Sequence, residues 1–592
     1  MTHERIDRPG RRRFLEGLAA GGLVVGAAAL APRWVLAGAT GPAAAKGAVG
    51  ELTIDAHPMN VTGKRRTAVL VDGSLPGPLL RWREGDTVSL RVHNRLDETT
   101  SIHWHGILLP ANMDGVPGLS FAGIPPQGSY LYRFPVRQSG TYWYHAHSGF
   151  QEQLGLYGPL IIDPLEPEPF AYDREHVVML SDWTDRDPIA LYKLLKKQSH
   201  YFNLNGPTLA DLVARARDEG LAEALRERLG WARMRMSPSD LADVGAYASG
   251  YTYLLNGTPP AGNWTGLFRP GERVRLRFIN ASAMTYFDVR IPGLEMTVVA
   301  ADGQNVHPVT VDEFRIGAAE TLDVIVRPAG ADAFTIFAQS LDRSGYARGT
   351  LAVREGLAAP VPEVDRIVFL SMADVGHAHR AHGTAAADVD APGEAPHAGH
   401  DAGHVSADHR AATAPSAAPQ RHPESERRNP AVDMQTTAPS SRLDDPGVGL
   451  RGNGRRVLTY ASLRTLADDP DGREPRRTIE LHLTGHMERY LWSFDGVPFS
   501  RAEPLHLRYG ERVRIVLVND TMMEHPIHLH GMWSDVEDDA GRFHVRKHTV
   551  SMPPGTRRTY RVTADALGRW AYHCHLLFHM EAGMFREVRV DA

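Results

Sequence analysis

Three stretches of this chain repeat one another. DGSLPGPLLRWREGDTVSLRVHN from Asp72, NGTPPAGNWTGLFRPGERVRLRFIN from Asn256 and DGVPFSRAEPLHLRYGERVRIVLVND from Asp495 share an Asp/Asn-Gly turn signal, a glycine followed by an acid, and a run that alternates with a period of two. Three copies of a turn-and-strand unit predict three related β domains. A second unit repeats as well, since PPQGSYLYRFPVRQSGTYWYHAH from Pro125 is answered by PPGTRRTYRVTADALGRWAYHCH from Pro553. In the middle copy the equivalent place reads AAETLDVIVRPAGADAFTIFAQS from Ala318, without histidine. Short alternating strands and frequent Gly/Pro turns make this an all-β chain of Greek-key β-sandwiches.

The only cysteine, Cys574, lies in HCHLLFHMEAGM. A thiolate, an imidazole and a thioether, here Cys574, His579 and Met584, suit a trigonal copper centre with a weak axial ligand, with a second imidazole drawn from elsewhere. On an extended strand neighbouring side chains face opposite ways, so His573 and His575 turn together away from Cys574 and towards a second metal. A structural zinc site is the competing reading, but it usually needs paired thiolates, and there is no second cysteine. Further histidines stand in HWHG (His103, His105), YHAH (His145, His147) and HPIHLHG (His525, His528, His530). Each H-x-H pair puts two rings on one face of a strand.

With these motifs the chain resembles the multicopper oxidases, a family that includes laccases, ascorbate oxidase and bacterial cuprous oxidases. The resemblance implies cupredoxin-like domains and four copper ions: one type 1, one type 2 and two type 3. His103 and His528 match the type 2 ligands, and His105, His145, His147, His530, His573 and His575 the type 3 ligands. His525, Cys574 and His579 match the type 1 ligands, with Met584 at the axial position. Four trinuclear ligands fall in the first β domain and four in the third, which predicts a cluster at their interface. Asp114, in NMDGVPG, resembles an acid of the family that orients water or relays protons, while a plain turn Asp before Gly115 is the simpler alternative. Some bacterial relatives carry a glutamate before the last type 1 histidine; Phe578 occupies that position here, which argues against that proton route.

The termini and linkers add to this picture. RRRFLEG from Arg11 is a twin-arginine pattern, followed by an apolar run from Leu18 to Leu30 and a small-residue site ending at Ala37. Residues 1–37 thus read as an export signal for the twin-arginine (Tat) machinery, with a periplasmic product. The apolar run is shorter than the roughly 20 residues needed to span a bilayer, which argues against a permanent membrane span. Without a second cysteine no internal disulfide can form. The formal net charge is −5, and loss of the signal, with six arginines against three acids, makes it more negative, which gives no sign of nucleic-acid binding. The expected division is domain 1 over 50–165, domain 2, without copper ligands, over 172–355, a disordered His-rich linker over 356–455, and domain 3 with the type 1 copper over 456–592. The linker holds HAHRAHG and HAGHDAGHVSADHR; its imidazoles read either as a copper-collecting arm or as a tolerated polar insertion. Between Pro188 and Ala248, LADLVARARDEGLAEALRERLGWARMRM predicts amphipathic helices inserted into domain 2.

RMRMSPSD, RLDDPGVGLRGNGRRVLTY and LTGHMERYLWSFDG resemble the bacterial copper-resistance branch of the family, the CopA type, although the linker here is rich in His where that branch often carries Met. Met522, Met523, Met532 and Met580 cluster in sequence about the type 1 histidines, and thioethers favour Cu(I), although each Met also serves as ordinary core filling. The expectation is a copper-dependent oxidoreductase that passes electrons from Cu(I) through Cys574, His573 and His575 to dioxygen, forming water, in copper resistance. A laccase-like oxidase of phenolic substrates and a copper-sequestering protein are the alternatives. Dioxygen, the electron donor and periplasmic copper carriers are the candidate partners.

Overall fold

The computed structural model describes residues 50–377 and 420–592. The export signal and the histidines from His379 to His409 fall outside these residues.

The repeats become three β-sandwiches built to one plan. In each, the first strand of the domain runs parallel to the strand that closes the repeat: Gly50–Asn60 beside Thr87–Asn94, Arg174–Thr184 beside Val274–Asn280, and Arg477–His486 beside Arg512–Asn519. In the facing sheet the short strand between them pairs parallel with the last strand of its domain, as Leu80–Arg83 does with Tyr157–Asp163, Trp264–Leu267 with Tyr346–Ala352, and Leu505–Arg508 with Phe585–Asp591. Parallel neighbours joined through the opposite sheet are Greek-key connections. The repeated dipeptides make the hairpin corners. Asp72-Gly73, Asn256-Gly257 and Asp495-Gly496 have φ of 49° and 69°, 49° and 73°, and 54° and 70°, the doubly left-handed path that favours Asn or Asp followed by Gly.

The predicted insertion in domain 2 forms helices Pro188–Lys197, Leu209–Glu219 and Leu221–Met234, then a single turn at Ala246–Ser249. Asp187 caps the first, with Pro188 at its first position, and Thr208 and Asp211 form a capping box on the second. No helix among the described residues is long and apolar enough to cross a membrane.

Composition suggested a solvated linker across 356–455, yet both of its described flanks are packed. Leu370, Val375, Met434, Leu443 and Leu450 are buried, and Ser440 bridges to Thr556. The scattered apolar residues of these flanks dock one by one, without the periodicity that marks a strand or helix. Residues 456–465 pack across two domains, with Val457 bridging to Glu313 and Thr465 to Val306.

Candidate functional site

The motif histidines lie on or just past four strands, β1 (His103–His105) and β2 (Gly140–His145) in the first sandwich and β3 (His525–Leu529) and β4 (Gly568–Cys574) in the third, with His579 on the short helix Leu577–Glu581. β1 pairs with β2 so that His103 lies opposite His145, and β3 pairs with β4 so that His528 lies opposite His573. Alternation places His103 and His105 on one face and buries Trp104 on the other.

Cys574 is at the centre of the first of two groups. Its Sγ lies 3.5 Å from Nδ1 of His525 and 3.8 Å from Nδ1 of His579, and the two nitrogens are 3.1 Å apart. All three residues are fully buried, as is Met584, whose carbonyl accepts from the Cys574 amide. The outer ring nitrogens are engaged: His525 Nε2 is 2.8 Å from Thr521 Oγ1, and His579 Nε2–H donates to Asp243 Oδ2 at 2.7 Å. Asp243 also accepts from the Tyr490 hydroxyl. Burial pushes the Cys574 thiol well up, so its thiolate needs a cation beside it.

On the other side of Cys574, His573 and His575 join the histidines of the first domain. His573 Nε2 lies 3.1 Å from His530 Nε2 and 3.3 Å from His147 Nε2, and His575 Nε2 lies 3.3 Å from His145 Nε2. The donor atoms of His105, His145 and His575, of His147, His530 and His573, and of His103, His105 and His528 form three groups, each within 4.8 Å. Every ring is buried except that of His147, which is half-buried. Most outer nitrogens are pinned by acceptors, which fixes the tautomer and turns the other nitrogen inward. His103 Nδ1–H donates to the Asp114 carbonyl, His528 to the His548 carbonyl, His573 to the Cys574 carbonyl, His530 to Asp114 Oδ2 and His145 to the Ala146 carbonyl, with Glu152 Oε2 2.6 Å away. Burial among other imidazoles holds His105, His145, His147, His528, His530 and His575 well below the ordinary histidine value and brings His573 down to about 4. These are neutral rings with lone pairs available. Nε2 of His103, Nε2 of His528 and Nδ1 of His105 are buried without any hydrogen bond, an arrangement that metal ligation resolves.

Several participants carry no motif. Asp243 lies in the helical insertion, 336 residues from the histidine it holds, and nothing local distinguishes it from its neighbours. His548, in RKHTV, puts Nδ1 at 3.2 Å from His105 Nε2 and at 3.5 Å from Asp302 Oδ2. Glu152 did have a signal, as an acid shortly after YHAH. Met522, Met523 and Met532 are buried, and Met580 is half-buried. Met523 and Met580 line different spaces. The first is a small cavity of about 10 Å³ bounded by Asp243, Met284, Met523, Glu524 and Leu576 among others. The second is a cleft of about 530 Å³ between residues 116–119, 498–500 and 580–585, which reaches His147.

Fold and donor sets alike define a class, and the chain belongs to the multicopper oxidase family, whose models match residues 53–167, 174–356 and 472–592. Within it, the chain is 61% identical to a copper resistance protein A homolog of Pseudomonas syringae pv. tomato, covering 99% of each chain, and 59% identical to copper resistance protein A of Escherichia coli, covering 98% and 99%. It is 31% identical to the multicopper oxidase MmcO of Mycobacterium tuberculosis over 97% of this chain and 95% of that one. Among solved structures, Fet3p, a multicopper oxidase that functions in iron import, shares the fold with a TM-score of 0.63 at 20% identity, over 92% and 90% of the two chains. The protein is a copper-dependent oxidoreductase with one type 1, one type 2 and two type 3 coppers, which the buried donor sets fit.

Proposed function

We propose that this protein is a periplasmic cuprous oxidase of copper tolerance, exported by the twin-arginine route, which converts four Cu(I), one dioxygen and four protons into four Cu(II) and two waters. His525, Cys574 and His579, with Met584 axial, are assigned to type 1 copper, His103 and His528 to type 2, and His105, His145, His147, His530, His573 and His575 to type 3. Bound copper supplies the one-electron steps and the site of oxygen reduction. The chain supplies three consecutive residues, His573, Cys574 and His575, as the covalent link between the two sites.

The observation that carries the choice of substrate is the cavity beside the type 1 histidines. Its volume of about 10 Å³ admits roughly one water-sized occupant and no phenol ring. Thioethers from Met284 and Met523 and carboxylates from Asp243 and Glu524 line it, a soft and anionic set suited to a copper ion. Asp243 connects this cavity to His579 by one hydrogen bond. Met284 and Met523 are therefore the favoured thioethers for Cu(I), ahead of Met580, which lines the cleft at His147.

That cleft is the natural entry for dioxygen and exit for water. Asp114, holding His530 and 1% exposed, is the acid best sited to orient water at the histidine cluster, and Glu152 beside His145, its carboxyl pushed well up by burial, offers a further proton-holding group where Phe578 offers none. The decisive experiment measures oxygen uptake by copper-loaded protein on a stabilised Cu(I) complex and on a simple phenol, each with and without added Cu(II). Fast uptake on Cu(I), with phenol turnover weak unless Cu(II) is present, is expected. Efficient phenol turnover without added copper would make it a laccase, and no uptake on either would leave sequestration as its task.

A further inference from the structure

A second set of ligand-type side chains lies in the third domain and takes no part in the site above. His422 and Glu426 stand on the segment that leads into this domain, His482 on strand Arg477–His486, and Asp520 just past strand Arg512–Asn519. Nδ1 of His422 is 3.3 Å from Glu426 Oε2 and 3.2 Å from Asp520 Oδ2. Nδ1 of His482 is 2.6 Å from Asp520 Oδ2 and 3.7 Å from Glu426 Oε1. Glu426, His482 and Asp520 are 3%, 0% and 0% exposed, so the group sits inside the protein.

The outer contacts decide what these atoms can be. His422 Nε2 faces the Thr436 carbonyl at 3.0 Å, and a carbonyl only accepts, so this nitrogen carries the hydrogen. His482 Nε2 faces Glu480 Oε1 at 3.2 Å and carries its hydrogen for the same reason. Neutral rings so oriented turn Nδ1 lone pairs towards the carboxylate oxygens; without an ion the same contacts favour protonated rings, with His482 Nδ1–H donating to Asp520 Oδ2 at 2.6 Å and the carboxylates raising both imidazoles, His422 to about 10. Positive charge belongs between them. Despite its close approaches, His422 Nδ1 makes no aligned hydrogen bond, and Glu426 Oε1 is buried with none. These two atoms converge on the group without an aligned partner, which suits a central ion better than pairwise bonds. Ligand bonds of about 2.0–2.2 Å in a tetrahedron put donor atoms about 3.3–3.6 Å apart. With Glu426 Oε2 as its donor, the separations of 3.2 and 3.3 Å match that spacing, and the 2.6 Å between His482 Nδ1 and Asp520 Oδ2 would lengthen on binding. Both carboxylates are also held from outside: Asp520 Oδ1 accepts from the Thr436 amide, and Glu426 Oε2 accepts from Gln435 Nε2 as well as facing His422.

We propose that His422, Glu426, His482 and Asp520 form a further metal site, for one divalent transition cation of the Zn(II) or Cu(II) class, which clamps the segment after the His-rich run onto the third domain. Two carboxylates balance one such ion with both imidazoles neutral, so the buried charge closes. Asp520 adjoins Thr521, whose Oγ1 touches His525, so the clamp sits one residue from a support of the type 1 site.

To test it, copper-loaded, full-length protein is incubated with Zn(II), or separately with Cu(II), freed of loose metal on a chelating column and its total metal counted, alongside His482→Gln and Glu426→Gln. The wild type should retain one equivalent more than either variant, all three keeping four coppers and the blue type 1 absorption. The arm with the larger difference identifies the preferred ion. Metal held by the His-rich segment is common to all three proteins and cancels. Equal counts in folded, blue wild type and variants would overturn the site and leave protons as the shared charge. If the variants lose their colour, zinc-edge X-ray absorption of the wild type with one equivalent decides: a mixed imidazole and carboxylate shell supports the site, and an imidazole-only shell overturns it. None of these readouts involves turnover, so the result is independent of the electron donor.

Discussion

At the residue scale the site works through pairs in which one side chain fixes another. Cys574 turns its Sγ towards His525 and His579 on one side and continues into His573 and His575 on the other, so no neighbour can replace it. Cys574→Ser should remove the blue absorption, lower the copper count by one and reduce oxygen uptake on Cu(I) by at least about a thousandfold; unchanged uptake would show that electrons enter elsewhere. Asp243 acts through His579, holding Nε2–H at 2.7 Å while Nδ1 faces the thiolate. Loss of such an outer partner costs about 10–100-fold in affinity or activity. Asp243→Ala should therefore lower kcat on Cu(I) within that range and raise the type 1 potential, since a negative charge near the oxidised ion is lost. Asp243→Asn, which keeps an acceptor, should retain more activity. A potential that stays put in both variants would reduce Asp243 to a packing role.

At the element scale, β1 to β4 concentrate titratable rings in a dry interface. Burial holds His105, His145, His525, His528 and His573 neutral, so between the unfolded value near 6.5 and the lowered folded values the unfolded chain binds more protons than the native one. The sign follows: in copper-free protein this stability is present above about pH 6.5 and is lost as pH falls. With His573 held at about 4, that ring alone should cost about 1.4 kcal/mol between pH 7.5 and 5.5. Denaturant unfolding of copper-free protein at the two pH values measures the loss, and the other buried rings should add to it. Equal stabilities would mean that the rings take up protons without opening the interface.

For the whole molecule, the middle sandwich has no histidine in its repeat, yet it organises the other two. It meets the first through Thr141, whose hydroxyl donates to Asp323 and accepts from Arg277, and the third through Asp243, which accepts from Tyr490 and His579. The copper ions complete the assembly, because the histidine cluster draws rings from both the first and the third sandwich. Each bound ion adds roughly 4 kcal/mol when free copper is a thousand times its Kd. Stripping copper should thus lower the main calorimetric unfolding transition by several degrees and divide it into more than one. A single, unshifted transition would show that the protein contacts suffice to join the sandwiches.

Sequence alone determined what depends on neighbours along the chain. Three Asp/Asn-Gly corners with alternating strands specified three sandwiches, because the left-handed corner and the period of two are local properties. H-x-H pairs and the lone cysteine specified which rings share a face for the same reason. Tertiary structure decided what lies between distant segments: Asp243 on His579, His548 beside His105, the small cavity lined by Met284 and Met523, and the three groups around Asp520. It also decided that the flanks of the His-rich run are packed, since their isolated apolar residues find pockets on surfaces that no window of sequence contains. A contact across hundreds of residues leaves no periodic trace, and the chemistry of these supports exists only once the sandwiches have closed on one another.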